Sequence, residues 1–373
     1  MRILKQIVTL ATVMLVTSTS RAQSATSDIW GILDDGREVK IFTLRNQQGT
    51  QVKVAEYGAL LVSIEVADQD GNSGNITLSY QSLDEALAGG VYGSIVGRFA
   101  NRIDTGGFTI DGERFDLETV NPKTQVHIHG GLTGFQRQIW QGKCSADNTK
   151  SAAEFHLMSP DGHEGYPGKT EISVTYRLSN ENALTIEYHG ITDKPTHLNL
   201  TNHVYFNLNG EGEVLDHQLE LTSEQFLEFD ARKIPTGNLL SVENTPFDFR
   251  SEKSIGKSIS QVDGGGYDHC FVIPPSNNGT AMVSFARLTS PRSGRTLAIE
   301  TTMPGVQIYT ANHFKNKPFP KWGGICFETQ YYPDTPNQKS FPSSLLRPGQ
   351  TYHHTTKFHF GTLAATIPSK TGE

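Results

Sequence analysis

The chain contains little cysteine: Cys144, Cys270 and Cys326 are the only three among 373 residues. An odd number cannot all pair, so a scaffold held together by disulfides is excluded. Cys144 lies in a polar segment that reads as a loop. Cys270 and Cys326 lie in apolar, strand-like segments, and we expect them to pack as small hydrophobic side chains.

Long apolar runs and basic clusters are also missing. Beyond the N-terminal region, no stretch approaches the length that a helix needs to cross a bilayer. The formal net charge is −7, and no run of lysine and arginine occurs. These features argue against nucleic acids and anionic membranes, so we expect neither as a partner.

The first 22 residues have the pattern of a secretory signal peptide. Arg2 and Lys5 form a basic start, an apolar run covers residues 7–16, and Ser20 and Ala22 are small residues at positions −3 and −1 of a cut after Ala22. Cleavage would remove three basic residues and no acidic one, which changes the formal charge from −7 to −10. An uncleaved anchor is the alternative. We predict secretion across the inner membrane, to the periplasm or the extracellular space.

Residues 23–373 are predicted to form one large domain made mainly of β-strands. Short runs of alternating apolar residues are separated by clusters of Gly, Asn and Asp, and no fixed-period repeat or linker divides them. The only clear helix signal is at Ser82, which forms a capping box with Glu85 ahead of a stop at Gly89. The clearest strand candidates are 53–56 with 59–66, 108–115, 171–178, 184–191, 217–221, 281–288 and 296–301.

Segment 199–208 carries the strongest local signal for a site. Read as a strand, it places its side chains alternately on two faces. One face is apolar apart from Asn202, and the other carries Asn199, Thr201, His203, Tyr205 and Asn207. A face of hydrogen-bonding groups without Lys or Glu is typical of the wall of a polar pocket, such as one that binds a sugar. A half-exposed strand with a satisfied histidine is the alternative.

Glu328 is a carboxylate within the apolar run Ile-Cys-Phe-Glu. Such a group is costly to bury unless it is paired. Burial also raises the pKa of a carboxyl group, which can adapt it to act as a base. His127 and His129 have strand spacing but no evident third ligand, and zinc sites need three or four. We therefore predict no metal, and the absence of nucleotide-binding motifs predicts no other cofactor.

The polar clusters together resemble the aldose 1-epimerase family, also called galactose mutarotases. The resemblance runs in order along nearly the whole mature chain. It implies a mainly β fold, a large antiparallel β-sandwich (a galactose mutarotase-like supersandwich) with few short helices and a sugar cleft on one concave sheet. The motifs are G-R-F-A-N-R-I at 97–103, H-G-G at 129–131, D-G-H-E-G-Y-P-G at 161–168, N-H-V-Y-F-N-L at 202–208, I-P-T-G at 234–237, T-P-F-D-F-R at 245–250, G-Y-D-H at 266–269, P-G-V-Q at 304–307, E-T-Q at 328–330, F-P-S-S at 341–344 and L-R-P-G at 346–349.

The resemblance also implies roles for individual residues. His203 would be the general acid that protonates the ring oxygen of a free aldohexose, and Glu328 the general base that takes the proton of the anomeric hydroxyl. The two would lie on opposite sides of the anomeric centre. The opened aldehyde would rotate and reclose, which interconverts the α and β anomers of sugars such as glucose and galactose. Hydroxyls and the ring oxygen would be held by Asn101, Arg102, His129, Asp268 and Gln307.

The expected protonation states follow from the same roles. The productive enzyme needs Glu328 ionised and His203 protonated. We expect the neighbouring carboxylate to raise the pKa of His203 and Arg102 to lower the pKa of Glu328. The expected pH profile is bell-shaped.

Other functions remain open at this stage. A non-catalytic sugar-binding protein on the same fold would lack the acid or the base. A glycoside hydrolase would need two carboxylates, such as Asp268 and Glu328. A sugar-phosphate relative would need further cations, for which Arg98, Arg137 and Arg232 are the candidates. We expect a monosaccharide as the partner and a monomer or homodimer as the assembly.

Overall fold

A computed structural model describes residues 22–119, 123–275, 281–315 and 318–363. The predicted signal peptide lies outside the described residues, apart from Ala22. Within them, no helix is both long and apolar enough to cross a lipid bilayer.

Antiparallel strands make up most of the regular secondary structure of the described residues, which also include one α-helix. In chain order the first strands and the single α-helix are β1 (Ser24–Ile32), β2 (Glu38–Arg45), β3 (Gln51–Ala55), β4 (Leu60–Ala67), β5 (Ser73–Asn75), β6 (Thr77–Leu78), α1 (Leu83–Ala88), β7 (Ile95–Val96), β8 (Arg102–Ile103), β9 (Gly107–Ile110), β10 (Glu113–Asp116), β11 (His127–Ile128), β12 (Gln141–Ala146), β13 (Lys150–Ser159), β14 (Thr170–Ser179) and β15 (Ala183–Thr192). The remaining strands are β16 (Thr196–His197), β17 (Thr201–Asn202), β18 (Tyr205–Phe206), β19 (Gln218–Leu221), β20 (Gln225–Phe229), β21 (Pro235–Ser241), β22 (Lys253–Ser254), β23 (Asp268–Val272), β24 (Val283–Thr289), β25 (Arg295–Thr301), β26 (Gly305–Tyr309), β27 (Ile325–Gln330), β28 (Leu345–Leu346) and β29 (Tyr352–Thr362). Short 3₁₀ turns cover Asp104–Gly106, Phe135–Arg137, His163–Gly165, Ile255–Gln261 and Thr335–Asn337.

Three sheets organise the molecule. A nine-stranded sheet has the order β12-β13-β14-β15-β29-β25-β24-β19-β22, and a seven-stranded sheet has the order β21-β20-β23-β26-β27-β18-β6. The N-terminal strands form a separate five-stranded sheet with the order β1-β2-β3-β4-β5. Phe42, Phe155, Ile186, Val306 and Phe327 come from all three sheets and belong to one buried cluster. The mainly β, sandwich-like architecture that the sequence predicts is therefore confirmed.

The seven-stranded sheet presents a second, polar face. In β27, Ile325 and Phe327 point into the core cluster, so strand alternation turns Cys326 and Glu328 to the opposite face. All six residues of β27 are buried nonetheless. Loops therefore cover the polar face, and this covered face is where the predicted site residues meet.

Most predicted elements are confirmed. Each predicted strand segment named above overlaps a strand or a hairpin of the structure. Helix α1 follows Ser82, whose Oγ accepts a hydrogen bond from the amide of Glu85 at 3.3 Å. Cys144 is an exception, because it lies in edge strand β12 and not in a loop. Cys270 and Cys326 are buried in strands, as expected.

The prediction of one continuous strand over 199–208 is wrong. The segment contains two dipeptide strands, β17 and β18, which pair with different sheets. Both predicted faces are buried. Asn199 and Asn207 are used to hold loops: Asn199 accepts from the amide of Tyr331, and Asn207 donates to the carbonyl of Gly323. Of the five predicted polar pocket residues, His203 contacts a buried carboxylate on the covered face.

Candidate active site

Three neighbouring strands supply the floor of the site. Glu328 on β27 lies opposite Gln307 on β26, and Asp268 begins β23, the next strand in the sheet. Gln307 Nε2 donates to Asp268 Oδ1 at 2.7 Å. Glu328 Oε2 and Gln307 Oε1 are buried and have no hydrogen-bond partner. Buried polar atoms without partners are costly, so these two oxygens are suited to receive groups from a bound molecule.

His203 stands directly against the buried carboxylate. Its Nε2 is 3.5 Å from Glu328 Oε1, and the two side chains are only 5% and 3% exposed. Backbone hydrogen bonds fix the residue on both sides, from its amide to the carbonyl of Ser94 and from the amide of Gly93 to its own carbonyl.

His129 forms the adjacent wall. Its backbone is left-handed, with φ of 51°, and its ring lies edge-on to His203 with centroids 5.4 Å apart. The amide of Asn101 donates to His129 Nδ1 at 3.2 Å. A backbone amide can only donate, so the His129 proton resides on Nε2. Burial lowers the pKa of His129 well below its usual value, so the ring is a neutral donor.

Asn101 and Arg102 complete the polar wall. Asn101 is buried with a left-handed backbone, φ of 65°, and its Oδ1 accepts from Arg102 Nη1 at 3.3 Å. Arg102 begins β8, which pairs with β11 beside His129. The structure thus brings together all seven residues that the sequence proposes: Asn101, Arg102, His129, His203, Asp268, Gln307 and Glu328.

Burial sets the proton affinities of the central pair. It raises the pKa of Glu328 to about 8, assisted by the negative charge of Asp268 and opposed by Arg102. It lowers the pKa of His203 to about 4, although a backbone hydrogen bond and Asp268 oppose the shift. The expected directions, histidine raised and glutamate lowered, are therefore wrong. For both groups, the cost of removing the charged form from water exceeds the stabilisation that the neighbouring opposite charges provide.

Two further motifs hold the histidine loop. Glu164 accepts from the amides of Leu132 and Thr133 at 3.1 and 2.5 Å, which secures the turn that follows His129. Arg98 is buried and donates to the carbonyls of Ser159, Pro160 and Pro167. Both residues therefore hold loops in this protein.

The other candidate cations are also engaged elsewhere. Arg232 donates to both carboxylate oxygens of Asp104, at 2.7 and 3.1 Å, and pairs with Asp230. Arg137 donates to the carbonyl of Gly89 on an exposed surface. Neither contacts the floor residues, so the contacts of these arginines do not favour a phosphate-binding pocket.

His129, His203 and Glu328 form a group whose possible ligand atoms all lie within 4.8 Å of one another. His127 is not part of it, because its ring binds the carbonyl of Glu118 and the hydroxyl of Tyr166. Metal-ligating histidines usually donate their second ring N–H. His129 instead accepts at Nδ1, which leaves a proton where a metal would bind. The donor set therefore fits hydrogen bonding better than metal ligation.

Sequence reasoning placed Tyr205 on the polar face of segment 199–208, but it missed the aromatic wall around it, formed by Tyr92, Phe314 and Phe319. Tyr92 lies within 5.2–6.0 Å of Tyr205, Phe314 and Phe319, measured between ring centroids. Tyr205 in turn stacks on His203 with centroids 5.1 Å apart. Aromatic residues in strand-like segments usually signal a core, so composition alone does not identify such a wall. The alternation of Tyr205 with Phe206 was the available signal.

Comparison with known proteins supports one family. The family model described as "Aldose 1-epimerase" matches residues 40–359. The pig protein named galactose mutarotase is 37% identical over 348 residues, covering 90% of this chain and 98% of the relative. The aldose 1-epimerase of Escherichia coli K12 is 34% identical over 87% of this chain and 96% of its own length.

Solved structures agree with these matches. The galactose 1-epimerase of Lactobacillus acidophilus NCFM superposes with a TM-score of 0.81 at 29% identity, covering 91% of this chain and 99% of that structure. A GalM/aldose epimerase homologue from C. elegans gives a TM-score of 0.78 at 28% identity, covering 92% and 100%.

Proposed function

This chain belongs to the aldose 1-epimerase family, and from that premise we propose that His203 and Glu328 open and reclose the ring of a free aldohexose. The protein is an isomerase that interconverts the α and β anomers of aldoses. The observation that carries the residue assignment is the direct contact of a buried imidazole with a buried carboxylate, at 3.5 Å, beside polar side chains suited to hydroxyl groups.

Ring opening requires two proton transfers. Glu328, as the carboxylate, takes the proton of the anomeric hydroxyl while imidazolium Nε2 of His203 gives its proton to the ring oxygen. The bond from C1 to the ring oxygen breaks, and C1 becomes an aldehyde. Both sugar oxygens are attached to C1 in the closed ring, so one compact acid–base pair can serve both.

Reclosure reverses the same steps on the other face. After rotation about the C1–C2 bond, neutral His203 takes the proton of the C5 hydroxyl, whose oxygen attacks C1. Protonated Glu328 returns a proton to the aldehyde oxygen. The enzyme therefore ends each turnover in its starting protonation state, with either anomer as product.

In the free enzyme, His203 and Glu328 have the same protonation states as in the ring-opened intermediate of this cycle. Because burial raises the pKa of Glu328 and lowers that of His203, the proton of the free enzyme resides on Glu328 at neutral pH. That arrangement has the same proton count as the ion pair, so one transfer within the pair gives the productive form. It is also the arrangement that follows ring opening, so the site is suited to the opened aldehyde.

The remaining polar groups are suited to orient the sugar. His129 offers an Nε2 donor near the ring oxygen, and Arg102 offers donors at the rim. Asp268 and Gln307 offer a linked acceptor and amide. A non-catalytic binding protein would need these groups but not a matched acid and base, so the buried pair favours catalysis.

We also propose that the mature protein begins at or near Gln23 and works in the periplasm or outside the cell. The support is the sequence pattern of residues 1–22. It is consistent with a first strand, β1, that starts at Ser24.

Polarimetry of freshly dissolved α-D-glucose and α-D-galactose tests the function. The purified chain 23–373 should accelerate the approach to the equilibrium rotation of at least one sugar, equally with and without EDTA. Loss of the rate in EDTA with recovery on adding zinc would contradict the metal-free mechanism. No acceleration with either sugar would contradict the proposed substrates.

A further inference from the structure

One strand contacts both nitrogens of the catalytic imidazole. Cys326 and Glu328 are two residues apart on β27, so they project from the same face of the sheet. Cys326 Sγ lies 3.5 Å from His203 Nδ1, and Glu328 Oε1 lies 3.5 Å from His203 Nε2. Both Cys326 and His203 are buried. The imidazole is therefore held along its edge by a thiol at one nitrogen and a carboxyl group at the other.

We propose that Cys326 is a positioning residue that fixes the tautomer of His203: its sulfur accepts the Nδ1–H hydrogen bond and leaves Nε2 as the nitrogen that exchanges protons with the sugar. The inference rests on the proposed role of His203 as the acid. Cys326 does not itself transfer a proton.

The proton transfers of the cycle require the tautomer of His203 with its proton on Nδ1. When imidazolium gives up its Nε2 proton, the neutral ring that remains carries its proton on Nδ1. The same ring must then take a proton back at Nε2 during reclosure. A neutral ring with the proton on Nε2 could not accept there, and it would have to rearrange in a dry site before each reclosure. An acceptor at Nδ1 avoids that rearrangement.

The sulfur is a suitable but weak acceptor. Burial raises the pKa of Cys326 well above its usual value, so the group remains a neutral thiol. A carboxylate in this position would strongly stabilise the imidazolium, as in the Ser-His-Asp arrangement. A thiol orients the ring without adding a charge, which agrees with the lowered pKa of His203.

Other groups around the ring also influence the pKa of His203. They are Glu328 and Cys326 from β27, Tyr205 from β18, Asp268 from β23, and His129 with Arg102 from the loop wall. A hydrogen bond within His203 to its own backbone also favours the protonated ring. Among the side chains that the structure describes, Cys326 is the one in hydrogen-bond contact with Nδ1.

Nitrogen NMR of the ¹⁵N-histidine-labelled chain 23–373 tests the proposal directly. Near pH 6, wild-type His203, assigned by loss of its signals in His203→Asn, should show a protonated Nδ1 and an unprotonated Nε2. The opposite tautomer in the wild-type protein would overturn the proposal, whether or not any Cys326 variant folds.

Variants at position 326 supply the second measurement. Cys326→Ala removes the acceptor and should give a mixture of tautomers, with kcat lowered about tenfold, the effect of one hydrogen bond, and KM little changed. Cys326→Ser keeps an acceptor, and a stronger one, so it should retain the tautomer and move the acid limb of the pH profile upward. Cys270→Ala is the matched control: Cys270 is a second buried thiol on the same sheet, its sulfur lies near the carbonyl of Phe271, and it is not the thiol that contacts His203. It should leave the His203 signals unchanged.

The outcomes separate this proposal from the proposed function. If Cys326→Ala keeps the wild-type tautomer, kcat and pH profile, Cys326 is only a packing residue while His203 remains the acid. If His203→Asn keeps full activity, the assignment of the acid itself fails.

Discussion

At the scale of single residues, the chemistry depends on two groups that burial has moved away from their usual proton affinities. Sequence reasoning identified both: Glu328 is a carboxylate in an apolar run, and His203 lies on a predicted strand face of hydrogen-bonding groups without Lys or Glu. It did not give the direction of their pKa shifts. The neighbours suggested an ion pair, but the depth of burial, which outweighs them, is a property of the folded loops above the sheet.

Substitutions should separate catalysis from binding. Glu328→Gln and His203→Asn keep hydrogen-bonding ends but remove the base and the acid, so each should lower kcat about a hundredfold or more. Arg102→Ala should mainly raise KM, because a binding contact is lost. Polarimetric kcat and KM for each variant provide the check. Near-normal kcat in Glu328→Gln would place the base elsewhere, with Asp268 the next residue to test.

The pH profile should reflect the pair as a unit. The pair holds one shared proton between the two values, about 4 for His203 and about 8 for Glu328. Below the lower value a second proton enters and no base remains; above the higher value the shared proton is lost and no acid remains. We expect kcat/KM to be flat between these limits and to fall on both sides. A maximum confined to a narrow range near pH 5.5 would instead indicate unperturbed groups.

At the scale of elements, the floor of the site was predictable and its walls were not. Strand alternation in β27 follows directly from the sequence, and with it the direction of Glu328. The walls come from loops with left-handed residues such as Asn101 and His129, and from short strands such as β17 and β18 that pair with different sheets. Periodicity gives no information about segments of two residues, so it predicts one strand over 199–208 where the structure has two.

Substitutions in the turn after His129 test how strongly stability and kcat depend on the position of His129. Gly130 has φ of 76°, and a Cβ there would overlap the carbonyl of Gly97. Gly130→Ala should therefore displace His129, lowering both the melting temperature and kcat. Gly162→Ala is the matched control, with φ of 81° but no atom within 4 Å of the added carbon. It should cost only the backbone strain of a left-handed alanine, about 1–2 kcal/mol. Equal losses in the two variants would show that strain, not the clash, is responsible.

At the scale of the whole molecule, one sandwich provides a rigid sheet whose inner face forms the core and whose outer face carries the chemistry. This division was predictable from the alternating strands and the ordered motifs. The order of strands in each sheet was not, because it depends on pairings between distant segments, such as β15 with β29.

The predicted signal peptide is also tested on the whole chain. Expressed with residues 1–373 in a Gram-negative host, the protein should be recovered outside the cytoplasm with an N-terminus at or near Gln23, because the motif before Ala22 suits signal peptidase. Intact mass and N-terminal sequencing of the fractionated protein provide the measurement. An intact Met1 start on protein confined to the cytoplasm would contradict the prediction.

The near-complete burial of His203 and Glu328 has a consequence for the oxygen atoms of the sugar. An aldehyde in water is hydrated reversibly, and each cycle of hydration can exchange its oxygen with the solvent. In this site the aldehyde would form and reclose beside side chains that are 5% and 3% exposed, so water has little access to it. We expect sugar dissolved in H₂¹⁸O to pass through many catalysed anomer exchanges while C1 acquires the heavy isotope no faster than it does without enzyme.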